Sequence, residues 1–483
     1  MILTIESMTT TTSTTFSYKF HLLLDGKPTP GASSMVVINP ATGEPLTSCP
    51  RADRNQLEEA VQAAKRAFSS WSVTPITKRR DALLALADAL SARQALFARV
   101  LTEEQGKPFA DAEGEVMESV NLLRGFAGMD LSARILQDTG ERLVVQHDAP
   151  LGVVAVITAW NFPLWLLMMK LAPALLAGNT VVAKPAPTTP LSTLLFGDLC
   201  AQVLPAGVFN VITDQNDLGD ALTGHPDIAK ITFTGSTQTG RRVMAQAAGT
   251  LKRLTLELGG NDPAIVMDDA NVQEVAANIF VGAMINAGQL CTAIKRVYVP
   301  VHLYDSMCEE LALLADRVIL GDGMDASTQM GPVQNRAHFD RMSSLLASAH
   351  QDGTVIAGGA VLERPGYFVR PTVVRDIGDD ARLVREEQFG PILPVLAYRT
   401  VDEAITRAND SVYGLTATVW GRDATRALEV AKQLESGTVW VNGHLELPID
   451  IAVGGVKQSG LGVELGAEGL REFTQRRIVH VRR

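Results

Sequence analysis

Hydrophobic residues recur at helical spacing near the start of the chain, over residues 56–68 and again over 79–100. Apolar positions three and four residues apart line one face of a helix, so each run predicts one packing helix. Asp53 stands just before the first run, where its side-chain oxygen can cap the helix. These segments predict helices that pack on a core. They do not indicate a functional site.

From residue 150 onwards, short β-branched runs alternate with longer helical runs. Such alternation predicts parallel sheets that are covered by helices on both faces and bind ligands beyond the carboxyl ends of their strands. Asn161, Lys184 and Ser236 fall at such ends. The predicted strands are 153–157, 180–184, 208–212, 231–233, 264–266 and 296–299, and the predicted helices are 164–176, 191–203, 241–247, 272–285 and 303–318.

Residues 134–137 and 142–145 flank a turn at 138–140, which predicts a hairpin between long helical stretches. The run 477–481 is a plausible edge strand that could complete this hairpin in a partner subunit. We therefore expect a homodimer, or a homotetramer built from dimers.

Composition narrows the function classes. The chain has 483 residues, 46% of them hydrophobic, and a net charge of −10. This length predicts two large domains. The negative charge argues against nucleic acid or an anionic membrane as a partner. The one long apolar run, 163–177, is broken by Lys170 and Pro173, so no membrane span is expected.

Two further features bear on location. The four cysteines are scattered without the close pairing of a metal site, and they are too few to stabilise so long a chain by disulfide bonds. A reducing compartment and no metal are expected. The first twenty residues are rich in threonine, lack an apolar signal core and precede the first arginine, Arg51. We interpret residues 1–19 as a disordered tail of a cytoplasmic protein.

Three side chains suggest covalent chemistry at a carbonyl group. Cys291 lies in the run 288–292, Glu257 is a lone carboxylate in an apolar run that ends in two glycines, and Asn161 follows a predicted strand. A thiol, a carboxylate and an amide can attack a carbonyl, move a proton and hold an oxyanion. A single cysteine is more often a small buried residue, so Cys291 gains weight only from the other two.

Six runs resemble the aldehyde dehydrogenase superfamily in order and spacing, from about residue 20 to the end of the chain. Glu257 and Cys291, for example, are separated by the 34 positions that fit that family. The runs are AWNFPL at 159–164, KP at 184–185, FTGS at 233–236, LELGG at 256–260, GQLC at 288–291 and EEQFGP at 386–391.

The resemblance implies an α/β fold with three parts. A Rossmann-like cofactor domain would comprise residues 20–128 and 150–258. An α/β catalytic domain would comprise residues 259–445. A small β oligomerisation arm would comprise residues 129–149 and 466–483.

The resemblance also implies an oxidoreductase mechanism. Cys291 would attack the aldehyde carbon, while the Asn161 amide and the Cys291 N–H hold the oxyanion. Glu257 would then activate the water that hydrolyses the thioester, and its apolar neighbours are expected to raise its pKa. Lys170 and Glu464 correspond to a pair that passes protons from the base to solvent in some relatives, although a plain buried ion pair is an equal alternative.

The cofactor expected from the resemblance is NAD or NADP. Many NAD-preferring relatives carry a glutamate three residues after the lysine, where this chain has Pro187, so neither cofactor is excluded. The turn 235–240 could hold a phosphate, although it is not the G-x-G-x-x-G fingerprint. Lys184 could equally be a solvated strand-end lysine. The expected cofactor contacts are Trp160, Lys184, Pro187, Gly235, Ser236, Leu258, Glu387 and Phe389.

The substrate expected is a small, uncharged and apolar aldehyde, aliphatic or aromatic. Relatives that act on anionic aldehydes often carry arginine where this chain has Met169, and Val453 replaces an aromatic residue that is usual before the paired glycines. Leu166 and Met169 could also simply fill the core. The residues expected to line the aldehyde tunnel are Phe162, Leu166, Met169, Leu290 and Val453.

Three rival functions stay open. A relative that passes the acyl group to coenzyme A would have no need of the base Glu257. A thiol esterase could use Cys291 and Asn161 without a cofactor, but the cofactor contacts would then have no purpose. A binding protein that lost activity would be free to lose one of the three catalytic side chains.

Overall fold

The computed structural model describes residues 18–483. Most of the predicted tail, residues 1–17, lies outside the described residues. The Tyr18 hydroxyl donates a hydrogen bond to Asp198, and its ring packs against Phe20 at 5.1 Å. The described chain therefore begins against the body of the protein.

The N-terminal region forms two β-ribbons and four helices. Asp53 accepts a hydrogen bond from the Gln56 N–H at 2.9 Å, which confirms the predicted cap. The elements are β1 (Leu22–Leu24), β2 (Lys27–Thr29), β3 (Ser33–Asn39), β4 (Glu44–Arg51), α1 (Arg54–Trp71), α2 (Ile76–Ser91), α3 (Gln94–Gln105) and α4 (Phe109–Ala127).

The prediction of one helix over 79–100 is wrong, because α2 and α3 are separate helices. Arg93 leaves the helical region, with φ −119° and ψ 19°. Leu90 and Phe97 lie on either side of this break and are both fully buried. Their seven-residue spacing continues the apolar period across the break, which is why the pattern alone did not reveal it.

The first large sheet and its helices follow the predicted alternation. Five of its strands are parallel in the order β9, β8, β7, β10, β11, and the antiparallel strands β2, β1 and β21 (Gly460–Leu461) lie at its edges. The further elements are β7 (Val153–Ile157), α5 (Pro163–Leu176), β8 (Thr180–Lys184), α6 (Leu191–Val203), β9 (Phe209–Val211), α7 (Gly219–Gly224), β10 (Ile228–Thr234), α8 (Thr237–Ala247), a 3₁₀ turn (Ala248–Thr250) and β11 (Arg253–Glu257).

The second large sheet has the strand order β14, β15, β16, β13, β12, β18, β19, and all its neighbours are parallel except β14 and β15. Its region contains β12 (Asp262–Val266), α9 (Val272–Met284), a 3₁₀ turn (Ile285–Gly288), β13 (Ile294–Pro300), α10 (Val301–Arg317), α11 (Arg336–Asp352), β14 (Thr354–Ala357), β15 (Thr372–Arg375), α12 (Arg382–Arg385), β16 (Ile392–Tyr398), α13 (Val401–Asn409), β17 (Tyr413–Gly414), β18 (Thr416–Trp420), α14 (Ala424–Ala431), β19 (Thr438–Val441), β20 (Val456–Lys457) and α15 (Gly466–Arg471).

The predicted hairpin is present as β5 (Arg134–Asp138) and β6 (Arg142–Pro150). The final strand, β22 (Thr474–Arg482), pairs with β6 of the same chain along its whole length. The expectation that it completes the hairpin in a partner subunit is therefore wrong. The Asn179 side chain donates to the Phe473 carbonyl at 2.8 Å, which fixes the start of β22 beside the end of β6.

The two large sheets are joined by a short link at the centre of the molecule. Glu257 ends β11, and Asp262 begins β12 only five residues later. Both strands are buried on both faces near this link, as expected for parallel strands covered by helices. Within residues 18–483, no helix is both long and apolar enough to cross a bilayer.

We expect Asp53→Ala to lower the free energy of unfolding by about 1 kcal/mol, because the substitution removes the cap of α1. The midpoint of urea unfolding measures this change. Asp53→Asn keeps an oxygen acceptor and serves as the control. An equal loss for both variants would contradict the capping role.

Candidate active site

Cys291 follows a tight, strained loop. Asn286, Ala287 and Gly288 all have positive φ angles, of 51°, 55° and 69°. A Cβ on Gly288 would lie 2.4 Å from the Gly390 carbonyl oxygen, so this position has no room for a side chain. Non-glycine residues hold such angles only where surrounding contacts impose them, and such strain is concentrated at functional sites.

Asn161 lies directly against this loop. Its side-chain nitrogen donates to the Gln289 carbonyl at 3.1 Å. The Asn286 side chain in turn donates to the Asn161 carbonyl at 3.1 Å. The structure therefore brings Asn161 to the Cys291 loop, as expected from the sequence.

A buried ion pair fixes the segment that contains Asn161. Lys107 pairs with Glu115 and also donates to the Asn161 carbonyl at 3.0 Å. Glu115 accepts from the N–H groups of Leu164 and Trp165 at 3.0 and 3.2 Å, which caps the start of α5. Both charged side chains are fully buried. The Lys107 ammonium also lies 3.7 Å from the centre of the Phe162 ring. Sequence reasoning missed this pair, because its hydrogen bonds to the site go to backbone atoms.

Glu257 is buried at the end of β11. Burial raises the pKa of its carboxyl group well above the usual range, the nearby Glu464 raises it further, and Lys170 opposes both effects. The direction agrees with the expectation from its apolar neighbours. Its Oε1 atom accepts no hydrogen bond from any described residue. That oxygen is thus a buried acceptor without a partner among the described residues.

Lys170 and Glu464 form a buried ion pair. Glu464 is held in place by two backbone hydrogen bonds with Val453, at 2.8 and 2.7 Å. Since both members change the pKa of Glu257, the pair lies within electrostatic range of that carboxyl group. This geometry is compatible with either role considered for the pair.

Gly235 and Ser236 connect β10 to α8. The Gly235 N–H donates to the Glu257 carbonyl at 3.0 Å, and Ser236 caps α8 by accepting from the Thr239 N–H at 3.2 Å. A Cβ on Gly240 would lie 2.5 Å from the Leu258 side chain, which sets α8 close to the link. The start of α8 is accordingly held next to Glu257.

Glu387 approaches the link from the other side. It accepts from the Gly260 N–H at 3.0 Å, and a Cβ on Gly259 would lie 2.4 Å from its second carboxyl oxygen. Burial raises its pKa. Two residues later, Phe389 has a φ of 55° and packs edge-on against Trp160 at 5.3 Å.

Lys184 is paired in a way that the sequence did not reveal. Its ammonium group lies 2.7 Å from Asp214, and both side chains are almost completely buried. The alternative of a solvated lysine is therefore wrong. Pro187, three residues further on, is half-buried and supplies neither a charge nor a backbone N–H.

Four of the five predicted substrate residues belong to one apolar cluster or pack against it. Leu166 and Met169 belong to the large core cluster, and Phe162 and Val453 pack against it. Leu290 is buried next to Cys291. Trp165, Leu447 and Ile449 pack on the same cluster and were not predicted from the sequence. For Leu447 and Ile449 the reason is that the sequence around 445–450 has no clear alignment to relatives.

Lys295 is a further buried group that sequence reasoning missed. Its ammonium donates to the carbonyl groups of Leu290, Cys291 and Ala293. One sequence signal could have identified Lys295: it is a lysine inside an apolar strand, four residues after the thiol. Among the described residues, no group of three or more metal-binding side chains is present.

Comparison with known proteins identifies the family. A model of the aldehyde dehydrogenase family matches residues 28–479. The chain belongs to this family.

Individual relatives support the same conclusion. The chain is 38% identical to a betaine aldehyde dehydrogenase of Vibrio vulnificus over 95% of its length and 96% of that protein's. It is 39% identical to a phenylacetaldehyde dehydrogenase of Pseudomonas fluorescens, covering 91% of both chains. A betaine aldehyde dehydrogenase of Staphylococcus aureus, solved in complex with NAD+, superposes with a TM-score of 0.93 at 33% identity, covering 96% and 95% of the two chains. The protein is thus an aldehyde dehydrogenase.

In this aldehyde dehydrogenase, we expect Lys107→Met to lower the free energy of unfolding by about 3–5 kcal/mol, because Glu115 would be left buried without its partner. Urea unfolding measures the loss. Lys65→Met breaks an exposed pair with Asp227 and should cost less than about 1 kcal/mol. Equal losses for the two variants would exclude the proposed anchoring of Asn161.

Proposed function

We propose that this aldehyde dehydrogenase oxidises an uncharged, apolar aldehyde, aliphatic or aromatic, to the carboxylic acid with NAD or NADP. The observation that carries the proposal is the arrangement of Asn161, Cys291 and Glu257 around the link between the two sheets. Nucleophile, oxyanion donor and base come from three distant parts of the sequence. A protein without this chemistry would have no need to bring all three together.

Cys291 acts as the nucleophile. Its thiolate attacks the aldehyde carbon, and the carbonyl oxygen becomes an oxyanion. The Asn161 amide has a second hydrogen besides the one donated to Gln289, and no described residue accepts from the Cys291 N–H. These two donors hold the oxyanion.

The residues around the link fit a dinucleotide. The start of α8 offers backbone N–H groups to a phosphate, and the lack of a side chain at Gly259 lets the Glu387 carboxylate lie directly against the link. Glu387 would bind the ribose hydroxyls, and Phe389 and Trp160 would pack beside the nicotinamide. A bound NAD or NADP would supply the hydride acceptor for oxidation of the thiohemiacetal to the thioester.

The NAD+ complex of the related Staphylococcus aureus enzyme supports NAD as a cofactor. Pro187 keeps NADP as the second candidate, since it presents no carboxylate to repel a 2′-phosphate. The Lys184–Asp214 pair leaves a carboxylate next to the lysine, which favours hydroxyl groups over phosphate as its neighbours.

Glu257 acts as the general base that releases the product. Its carboxylate can accept a proton from water, and the resulting hydroxide attacks the thioester carbon. The carbon–sulfur bond then breaks, which releases the carboxylic acid and returns Cys291 to the thiolate. The proton then has a charged acceptor nearby in the Lys170–Glu464 pair. A relative that passes its acyl group to coenzyme A would not need this base, so a free acid is the expected product.

The substrate class follows from the apolar wall. Phe162, Leu166, Met169 and Leu290 offer no charge to an ionic substrate, and a charge buried without a partner costs several kcal/mol. Relatives oxidise both betaine aldehyde and phenylacetaldehyde. The wall of this chain favours the uncharged, phenylacetaldehyde-like class.

The test mixes the purified protein with NAD or NADP and three aldehydes: an uncharged aromatic one, betaine aldehyde and an anionic semialdehyde. We expect reduced nicotinamide to form fastest with the aromatic aldehyde. Cys291→Ala should abolish turnover, whereas Cys308→Ala, a buried cysteine on α10, should retain it. No reduction with any pair, or faster turnover of a charged aldehyde, would contradict the proposal.

Glu257→Gln should form one equivalent of reduced cofactor in a burst and then turn over about 10²–10⁴-fold more slowly, because the base is lost. Burial raises the pKa of Glu257, so its carboxylate form grows with pH and wild-type kcat should rise with pH. The residual rate of the variant should lose this rise. Stopped-flow and steady-state assays from pH 6 to 9 measure both effects, and normal turnover of the variant would mean that another group is the base.

A further inference from the structure

The surroundings of Cys291 oppose formation of a thiolate. Burial raises the pKa of the thiol to about 12, and the carboxyl groups of Glu257, Asp262 and Glu387 raise it further. The thiolate is nevertheless the nucleophilic form of cysteine. The protein therefore needs a group that stabilises negative charge at this position.

Lys295 is the cation that faces Cys291 in the described part of the chain, and its ammonium group is fully engaged. It lies on β13 and is 3% exposed. Its Nζ donates to the carbonyls of Leu290 at 2.9 Å, Cys291 at 2.7 Å and Ala293 at 3.1 Å. An ammonium group has three hydrogens, and here each has an acceptor. Lys295 therefore has none left to donate to substrate or thiolate.

The contact with Leu290 sets the direction of the Cys291 N–H. The Leu290 carbonyl and the Cys291 N–H belong to one peptide unit, which is trans and planar. They therefore point in opposite directions, and a carbonyl that faces Lys295 turns the N–H away from it. An ammonium on the carbonyl oxygen also polarises the peptide, which strengthens the N–H as a donor.

We propose that Lys295 is a positioning residue that holds a fixed positive charge behind Cys291 and aims the Cys291 N–H at the oxyanion. This role rests on the proposed function of Cys291 as nucleophile. Lys295 touches neither substrate nor reacting atoms, and it stabilises the negative charge of the thiolate and of the oxyanion through the backbone and through space.

No other described cation takes over this role. His444 is close to Lys295, and burial together with that charge lowers its pKa to about 4, so its ring is neutral at pH 7. Of the three carboxyl groups that face the thiol, burial raises the pKa of Asp262 to about 7 and also raises that of Glu387. Lys295 is thus the counter-charge in a region otherwise composed of carboxyl groups.

The experiment measures alkylation of Cys291 by iodoacetamide in the full-length protein without aldehyde or cofactor, from pH 6 to 10. The Cys291 peptide is quantified by mass spectrometry. Lys295→Met should slow alkylation about tenfold at every pH in this range, which is the effect of raising the thiol pKa by about one unit. Lys295→Arg keeps the charge and should keep the wild-type alkylation rate at each pH even if its kcat falls.

Lys252→Met is the matched control. Lys252 is also a buried lysine that donates to a backbone carbonyl, that of His225 at 2.6 Å, but it does not face Cys291. The Lys252→Met variant should therefore have the same alkylation rate as the wild type at each pH. If Lys295→Met does not fold, as judged by circular dichroism, Lys295→Gln replaces it with the same expectation.

An unchanged alkylation rate in the neutral variant, or an equal fall in Lys252→Met, would overturn the role of Lys295. A merely structural lysine would lower activity without slowing alkylation. The assay needs no turnover, so it is separable from the proposed function. If Cys291→Ala retained activity, the proposed function would be wrong, whatever the alkylation data for Lys295 showed.

Discussion

Removal of charged groups from water is the constraint on which the rest of this structure depends. The proposed chemistry uses a thiolate, a carboxylate and an oxyanion in a buried place, and each would be unfavourable there without compensating contacts. The protein provides these contacts through paired or fully hydrogen-bonded lysines. Lys107 pairs with Glu115, Lys170 with Glu464 and Lys184 with Asp214, while Lys295 binds three carbonyl oxygens.

These lysines hold backbone segments as well as charges. Lys107 binds the carbonyl of Asn161, and Lys295 binds the carbonyl of Cys291. The strained turn before Cys291 packs against Gly390, which lies three residues after Glu387. The loop with the proposed nucleophile and the segment expected to bind the ribose thereby pack directly against each other.

Local sequence signals predicted the parts of this fold that depend on neighbouring residues. The alternation of strands and helices, the Asp53 cap and the hairpin of β5 and β6 all follow from period and turn chemistry. Local signals did not predict the break at Arg93 or the partner of β22, because both depend on packing between distant segments. Among the site residues, motif resemblance pointed to those expected to touch a ligand. It could not point to Lys107 or Lys295, which act on carbonyl groups that every residue has.

The pairing of β22 with β6 places the last step of assembly late in synthesis. Glu464 and the strand that follows it are translated after every other part of the site, yet Lys170 lies almost three hundred residues earlier. On a growing chain, Lys170 and the edge of β6 therefore remain unpaired until Glu464 and β22 have been translated. The proposed site is therefore complete only after Glu464 and β22 have been translated, and until then the unpaired edge of β6 is a surface that chaperones or a second nascent chain can meet.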